Sequence, residues 1–301
     1  MTSPIRIGTR GSPLALWQAR TVAGLIEQQG RAVEIVTIKT QGDRIQDRPL
    51  SETGGKNLFV KEIEDVLLAG SVDVAVHSAK DMSVAVPDGL GIAAVLPRED
   101  PRDALVCRSG LSQLSPDAAI GTGSIRRITQ MKMRMPHARF KPLRGNVDTR
   151  LRKLDSGEFD ALILACAGLR RLGYGDRISE AVAPEECIPA PCQGIVAIET
   201  RAGDLGDPVW AAINDRLARE AFDAERAVVS ALGGGCQLPL GAIALHDGSE
   251  LAMQAIVAAP DGSSAVRRSA RGPAARPAEL GRQLASELEK GGALAILNSL
   301  R

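Results

Sequence analysis

Five short stretches set glycine or a small hydroxyl residue beside cationic side chains. They are Gly8-Thr-Arg-Gly-Ser12, Gly54-Gly-Lys56, His77-Ser-Ala-Lys-Asp81, Gly121-Thr-Gly-Ser-Ile-Arg126-Arg127 and Leu143-Arg144-Gly-Asn-Val-Asp-Thr-Arg150. The first, fourth and fifth fall where a strand pattern gives way to a helix pattern. Free backbone N–H groups at a helix start attract anions, and an arginine fork suits a carboxylate in bidentate fashion. Arg10 with Ser12, Arg126 with Arg127, and Arg144 with Arg150 are therefore candidate anion sites. Arg171 follows the apolar run DALILAC and can join the last pair. Adjacent arginines at a helix N-terminus oppose the helix dipole unless an anion sits there, so the ligand reading is preferred for Arg126 and Arg127.

Each site has a plainer alternative. Ser12 can simply cap a helix. Lys56 can be a solvated lysine. Lys80 and Asp81 can form a surface ion pair of little consequence, or they can hold an anion and move a proton at the C-terminal end of the strand DVAV. For His77 the preferred reading is a hydrogen-bonded core histidine. Together the cationic loops call for a small polycarboxylate or polyphosphate. Neither a Walker phosphate loop nor GxGxxG is present.

Cysteine raises a separate question. GGGCQLPLG places Cys236 between glycines and a turn, where few side chains pack on it and the thiol can be reached. A nucleophile or covalent attachment point fits that setting. Cys107 and Cys166 lie in apolar runs and read as core, whereas Cys187 and Cys192 sit in the Pro-rich stretch PEECIPAPCQ. With five scattered cysteines and no CxxC, neither a disulfide framework nor a metal site is expected.

The elements that must position these residues follow from patterning. Strands are expected at Ile5 to Gly8, Val33 to Ile38, Val72 to Val76, Ala104 to Cys107, Ala118 to Ile120, Asp160 to Cys166 and Gly194 to Thr200. Helices are expected from Pro13, over Leu58 to Leu68, over Ile125 to Met135 with Pro136 as the stop, and over Asn146 to Leu154. Alternation of the two predicts two α/β units with mostly parallel sheets covered on both sides. PREDP (97–101) is the first linker and residues 184–193 are a second crossing. After a helix-rich stretch over Val209 to Leu232, short strands with an Asp261-Gly262 turn and a helix over Pro277 to Lys290 give a small α+β domain.

Composition bounds the rest. The chain has 301 residues, enough for two or three domains, with 44% hydrophobic residues. Aromatics are only 2% and net charge is +1, so neither base-stacking platforms nor a global field point to nucleic acid or an anionic membrane. MTSPIRIGTRGS lacks a long apolar run, and no stretch reaches transmembrane length, so a cytoplasmic location is expected.

In this order, IGTRGSPLALWQA, GGKNLFVKEIE, HSAKDM, GTGSIRR, LRGNVDTRLRKLDSGEFDALILACAGLRRL and GGGCQLPLGA closely resemble the porphobilinogen deaminase family, over nearly the whole chain. The resemblance implies two periplasmic-binding-protein-like α/β lobes with a cleft between them and a small α+β C-terminal domain. Expected bounds are 1–96 with 194–212, then 97–193, then 213–301. It also implies a dipyrromethane cofactor held by a thioether at Cys236, and four porphobilinogen molecules condensed head to tail with loss of ammonia. Ser12, Lys80, Arg126, Arg127 and Arg150 would hold the cofactor. Arg10, Arg144, Arg171, Lys56 and Gln193 would face substrate. Asp81 would be catalytic, stabilising positive charge on pyrrole nitrogens. A monomer that hands its product to a downstream synthase is implied, with no nucleic-acid or membrane partner. Two departures stand out: Cys192 where a small residue, often glycine, is expected, and Gly123 in place of a common serine.

Two other readings compete. A non-catalytic anion-binding protein of two α/β lobes would use the arginine loops but has no use for Cys236. A cysteine-dependent transferase or hydrolase would need a base beside the thiol, and no histidine stands near it in sequence.

Overall fold

The computed structural model describes residues 3–40, 42, 60–233 and 238–299. Lys56 and Cys236 lie outside the described residues. Two compact units form, one from 1–98 with 195–219 and the other from 99–194 with 220–301.

In chain order the strands are β1 (Ile5–Arg10), β2 (Val33–Ile38), β3 (Val74–Ser78), β4 (Leu90–Val95), β5 (Asp103–Cys107), β6 (Ala119–Gly121) and β7 (Arg139–Lys141). Then come β8 (Ala161–Ala165), β9 (Glu180–Val182), β10 (Val196–Arg201), β11 (Leu240–Asp247), β12 (Glu250–Ala258) and β13 (Ala265–Pro273). The helices are α1 (Pro13–Gln28), α2 (Lys61–Leu68), α3 (Ile125–Arg134), α4 (Val147–Asp155) and α5 (Cys166–Arg171). They continue with α6 (Pro208–Ile213), α7 (Arg216–Ala231), α8 (Pro277–Lys290) and α9 (Ala293–Asn298).

The first unit is built on a sheet ordered β2-β1-β3-β10-β4. Pro13 and the Ser12 cap start α1, with Ser12 Oγ accepting from Ala15 N at 3.3 Å. Its buried stripe, Ala19, Val22, Ala23 and Ile26, packs with Ile7, Val74, Val76, Val196 and Trp210 on one sheet face. Ile63 and Leu67 of α2 cover Val72, Ala75 and Leu90 on the other. Both faces are covered, as patterning predicts. Four of the sheet's five strands run in one direction, and β10 alone is reversed. β1 runs parallel to β2 and β3, whereas β10 runs antiparallel to β3 and β4. Patterning reports burial and not strand direction, and β10 returns from a distant part of the chain. β4 escaped the sequence reading because LGIAAV is rich in Gly and Ala.

The second unit holds two sheets with separate cores. One is ordered β7-β6-β8-β5-β9, again with parallel pairs around β6 and antiparallel pairs around β5. Leu105, Ile120, Ile163 and Met131 fill one of its faces, and Val106, Leu151, Leu162 and Leu169 the other. Three-residue β7 and β9 are too short to leave a period. The other sheet is the antiparallel meander β11-β12-β13, whose core takes Val228, Met253, Ala255, Leu284 and Leu288. Gly262, at φ 79°, turns the β12–β13 hairpin at the expected Asp-Gly. The fold class is thus α/β, two sheet-and-helix lobes with a small C-terminal domain.

Two close approaches fix this unit. A Cβ on Gly281 of α8 would lie well inside contact distance of the Ala224 carbonyl oxygen and 2.7 Å from Ala227 Cβ, so only glycine lets α8 reach α7. Cys192 adopts φ 61°, in the left-handed region, and is 2% exposed. Its N–H donates to Glu225 Oε2, and the other oxygen of that carboxylate accepts from Ala244 N at 2.6 Å. A glycine at 192 would suit this backbone without strain.

Gly281→Ala should lower unfolding stability by about 3 kcal/mol or more, read by denaturant titration, because backbone must move to admit the methyl. Cys192→Gly should change stability by less than about 1 kcal/mol, whereas Cys192→Val should cost at least about 2 kcal/mol, since a β-branched side chain is worst at positive φ. Equal effects of the two Cys192 variants would contradict the left-handed assignment.

Candidate functional site

In the first unit, Arg10 at the end of β1, Ser12 at the start of α1, His77 and Ser78 at the end of β3, and Asp81 just after it line one small pocket. Both loops stand at C-terminal strand ends, where open α/β sheets bind ligands. Gln18 is buried on the apolar side of α1. Its Nε2 donates to Ser78 Oγ at 2.9 Å. Ala79 N donates to Ile195 O at 3.0 Å, and Met82 N closes the 3₁₀ turn on Ala79 O. These bonds hold Lys80 and Asp81 on a turn anchored to two neighbouring segments. The arrangement offers a carboxylate ligand a guanidinium and a helix N-terminus, with an acceptor carboxylate in the same pocket. His77 is the hydrogen-bonded core residue that was expected, with Nε2 3.1 Å from Glu199 Oε2.

In the second unit, Arg126 and Arg127 open α3 and are both buried. Sequence reasoning predicted an anion for them, and the anion they face is Asp103, the first residue of β5. Arg126 Nη1 donates to Asp103 Oδ2 at 2.7 Å and to Ile188 O at 2.8 Å. Arg127 donates to Asp103 Oδ1 through Nε and Nη2, at 2.9 and 2.7 Å, and to Ile163 O through Nη1. Burial alone would raise the Asp103 carboxyl, but the two guanidinium charges outweigh it and hold the group far below the usual carboxylate range. Against this one carboxylate stand two guanidinium charges, leaving one positive charge in surplus. Arg126 Nε, buried, has no protein acceptor. An internal carboxylate thus answers the helix dipole at this pair, and one positive charge stays in surplus.

Gln193 is 1% exposed, and its Nε2 donates to Pro101 O at 2.7 Å and to Asp103 Oδ1 at 2.9 Å, so it braces the start of β5. Asn146 caps α4 by accepting from Thr149 N at 2.9 Å. Arg150, in the second turn, donates from Nε to Gly145 O at 2.7 Å. Arg144 lies in the same loop, just before this cap. Arg171, at the end of α5, donates to Gly194 O at 2.7 Å, and burial pushes its guanidinium pKa down. Gly123 has a physical reason: a Cβ there would meet Leu143 O at 2.9 Å.

The four described cysteines are all buried. Burial raises the Cys107 thiol, and pushes Cys166 and Cys187 up to about 12. Cys192 is closed over by Glu225 and Phe222, so its thiol is no open attachment point. Sequence reasoning missed Asp103, Gln18, Glu64 and Glu199. Gln18, Glu64 and Glu199 were signalled weakly, as polar residues inside an apolar run or on an apolar helix face, whereas Asp103 reads as one more acid in a charged stretch.

Residues 5–206 match the family described as porphobilinogen deaminase, dipyromethane cofactor binding domain, and residues 220–290 match porphobilinogen deaminase, C-terminal domain. Among solved structures, an ABC transporter periplasmic substrate-binding protein from Coxiella burnetii is similar at 14% identity and TM-score 0.43, covering 69% of this chain and 91% of its own. Immunogenic lipoprotein A from Vibrio vulnificus is similar at 14% and 0.42, covering 69% and 93%. A nutrient binding protein from Burkholderia cenocepacia, bound to methionine, is similar at 12% and 0.43, covering 69% and 89%.

Asp103→Asn should destabilise the protein by about 3–5 kcal/mol, because it leaves two buried guanidinium charges without a counter-ion. A carboxyl held low in the fold stabilises it above the unfolded carboxylate range and loses that contribution as pH falls. The acid side of a Tm-against-pH curve should therefore be flatter in Asp103→Asn than in the wild type. Superimposable acid limbs would refute the assignment.

Proposed function

Because the chain belongs to the porphobilinogen deaminase family, a transferase family of tetrapyrrole synthesis that works through a dipyrromethane cofactor, we propose that it has hydroxymethylbilane synthase activity. In this reading four porphobilinogen molecules are joined head to tail, each losing ammonia. The observation that carries the residue assignment is that Arg10, Ser12 and Asp81 line one pocket.

The residues present fit a group bearing several carboxylates. Arg10 and Ser12 offer a guanidinium and a helix N-terminus, Lys80 lies beside Asp81, and the Arg126–Arg127 pair has one charge in surplus over Asp103. Ser12, Lys80, Arg126, Arg127 and Arg150 would hold the dipyrromethane, and Arg10, Arg144 and Arg171 the acetate and propionate groups of incoming substrate. When bound, the cofactor supplies the electron-rich α-carbon from which the product grows. Asp81 accepts N–H groups of the reacting pyrroles, stabilises positive charge that develops on those nitrogens, and can hold the proton released from carbon. The attachment atom proposed is the Cys236 sulfur. A thioether to a two-ring group needs a reachable thiol, and burial disqualifies the four described ones.

The domain bounds proposed remain 1–96 with 194–212, 97–193 and 213–301. Separate cores in the second unit support dividing it in two. A cytoplasmic monomer that passes its product to a downstream synthase completes the reading. Among the described residues no helix is long and apolar enough to cross a membrane.

Intact mass spectrometry should find a dipyrromethane adduct on the wild type and on Cys192→Ser but not on Cys236→Ser. An adduct retained by Cys236→Ser would overturn the tether. Asp81→Asn should lower kcat by about 10²–10⁴-fold with Tm nearly unchanged. Turnover within a few-fold of wild type would remove Asp81 from the chemistry.

A further inference from the structure

Three titratable side chains behind the Arg10–Asp81 pocket have no part in the reading above. His77 comes from β3, Glu199 from β10 and Glu64 from α2, and they are 5%, 0% and 4% exposed. His77 Nε2 meets Glu199 Oε2 at 3.1 Å. Glu199 Oε1 and Glu64 Oε1 are buried and have no protein hydrogen-bond partner. His77 itself lines the pocket, as does Ile63, the neighbour of Glu64 on α2. The cluster thus backs both the strand wall and the helix wall.

Net charge decides its state. With both carboxyls ionised the group is negative whichever form the imidazole takes, and an uncompensated buried charge is costly. His77 and Glu199 can balance each other as a pair, so a neutral cluster requires Glu64, whose Oε1 has no protein partner, to keep its proton. We infer that Glu64, His77 and Glu199 form a buried charge cluster that keeps the floor of the pocket neutral while Glu64 holds its proton. Loss of the Glu64 proton puts a net negative charge behind Arg10 and weakens binding of substrate carboxylates. This rests on the deaminase reading for the identity of the ligand.

Among the described residues, the charged groups on the elements packed against Glu64 are these. From β3 there is His77. From β10 there are Glu199 and Arg201, whose Nη1 donates to Leu67 O and Val72 O at the far end of α2. β1 contributes Arg6, which is bound to Asp73 at 2.8 Å. On α2 itself, Lys61 is paired with Asp65 at 2.7 Å and Glu62 is adjacent. Burial raises the Glu64 carboxyl to about 7, the Glu199 charge adds to this, and His77 opposes it. A raised carboxyl favours the fold at low pH and loses that contribution as pH climbs through its folded value. The charge behind the pocket therefore changes near neutrality.

The test pairs a ligand-independent measurement with a kinetic one on the full chain. In ¹³C-carboxyl NMR of the glutamates, one resonance should stay protonated to about pH 7 and vanish in Glu64→Gln. All glutamates completing their titration below about pH 5.5 would overturn the proposal. The increase in KM for porphobilinogen from pH 6 to pH 8 should be about fivefold larger in wild type than in Glu64→Gln, with little difference in kcat. Superimposable KM profiles would overturn the link to the pocket. If Glu64→Gln does not fold, the wild-type titration decides alone. A wild type that turns over no porphobilinogen yet keeps a glutamate titrating near 7 would sink the deaminase reading while upholding the cluster.

Discussion

One buried carboxylate organises the second unit. Asp103 opens the antiparallel strand β5, and its two oxygens collect Arg126 and Arg127 from α3 and Gln193 from the crossing segment. Cys187 Sγ lies 3.4 Å from Oδ2. Through Arg126 the network reaches Ile188 O, and through Arg127 it reaches Ile163 O of β8. Strand, helix and crossing are thus tied at one point with no open side. Burying a charge this deeply is tolerated because the partners are strong and fork-shaped.

The first unit solves a related problem with weaker bonds. Gln18 against Ser78, and Ala79 against Ile195, fix the turn that carries Lys80 and Asp81. Neutral hydrogen bonds at the end of a parallel strand leave Arg10 and Asp81 in the pocket lining. The contrast explains why two sets of motif arginines with similar sequence surroundings behave differently. Arg10 lies on a pocket wall, and Arg126 and Arg127 lie inside the protein.

Much of this was legible in the chain. IRIGTR followed by Ser-Pro announces a strand, a cap and a helix, and the structure has β1, Ser12 and α1 there. Within DALILAC, ALILA is a buried strand because nothing in it needs water. What patterning could not supply was direction and partnership. A period of two is the same for parallel and antiparallel strands, so β10 and β5 were misjudged. Arg126 and Arg127 carried a correct physical signal, a dipole needing an anion, but the partner was Asp103, which reads as one more acid in PREDPRD. Gln193 looked like a ligand residue for a like reason: its bonding partners are distant in sequence. Cys192 could be flagged as a departure from a glycine, but its left-handed backbone and the closing carboxylate of Glu225 are tertiary facts.

The position of β10 bears on how the chain comes off the ribosome. β3 and β4 are near neighbours in sequence, yet the strand that separates and joins them arrives only after the whole segment containing β5 to β9 has been made. Until then the nascent N-terminal lobe has two unpaired strand edges flanking an apolar slot, the kind of surface that recruits chaperones or pairs with a neighbouring chain. The lobe translated first is therefore not the lobe completed first, and slow passage through residues 99–194 lengthens the interval in which it is open to misassembly.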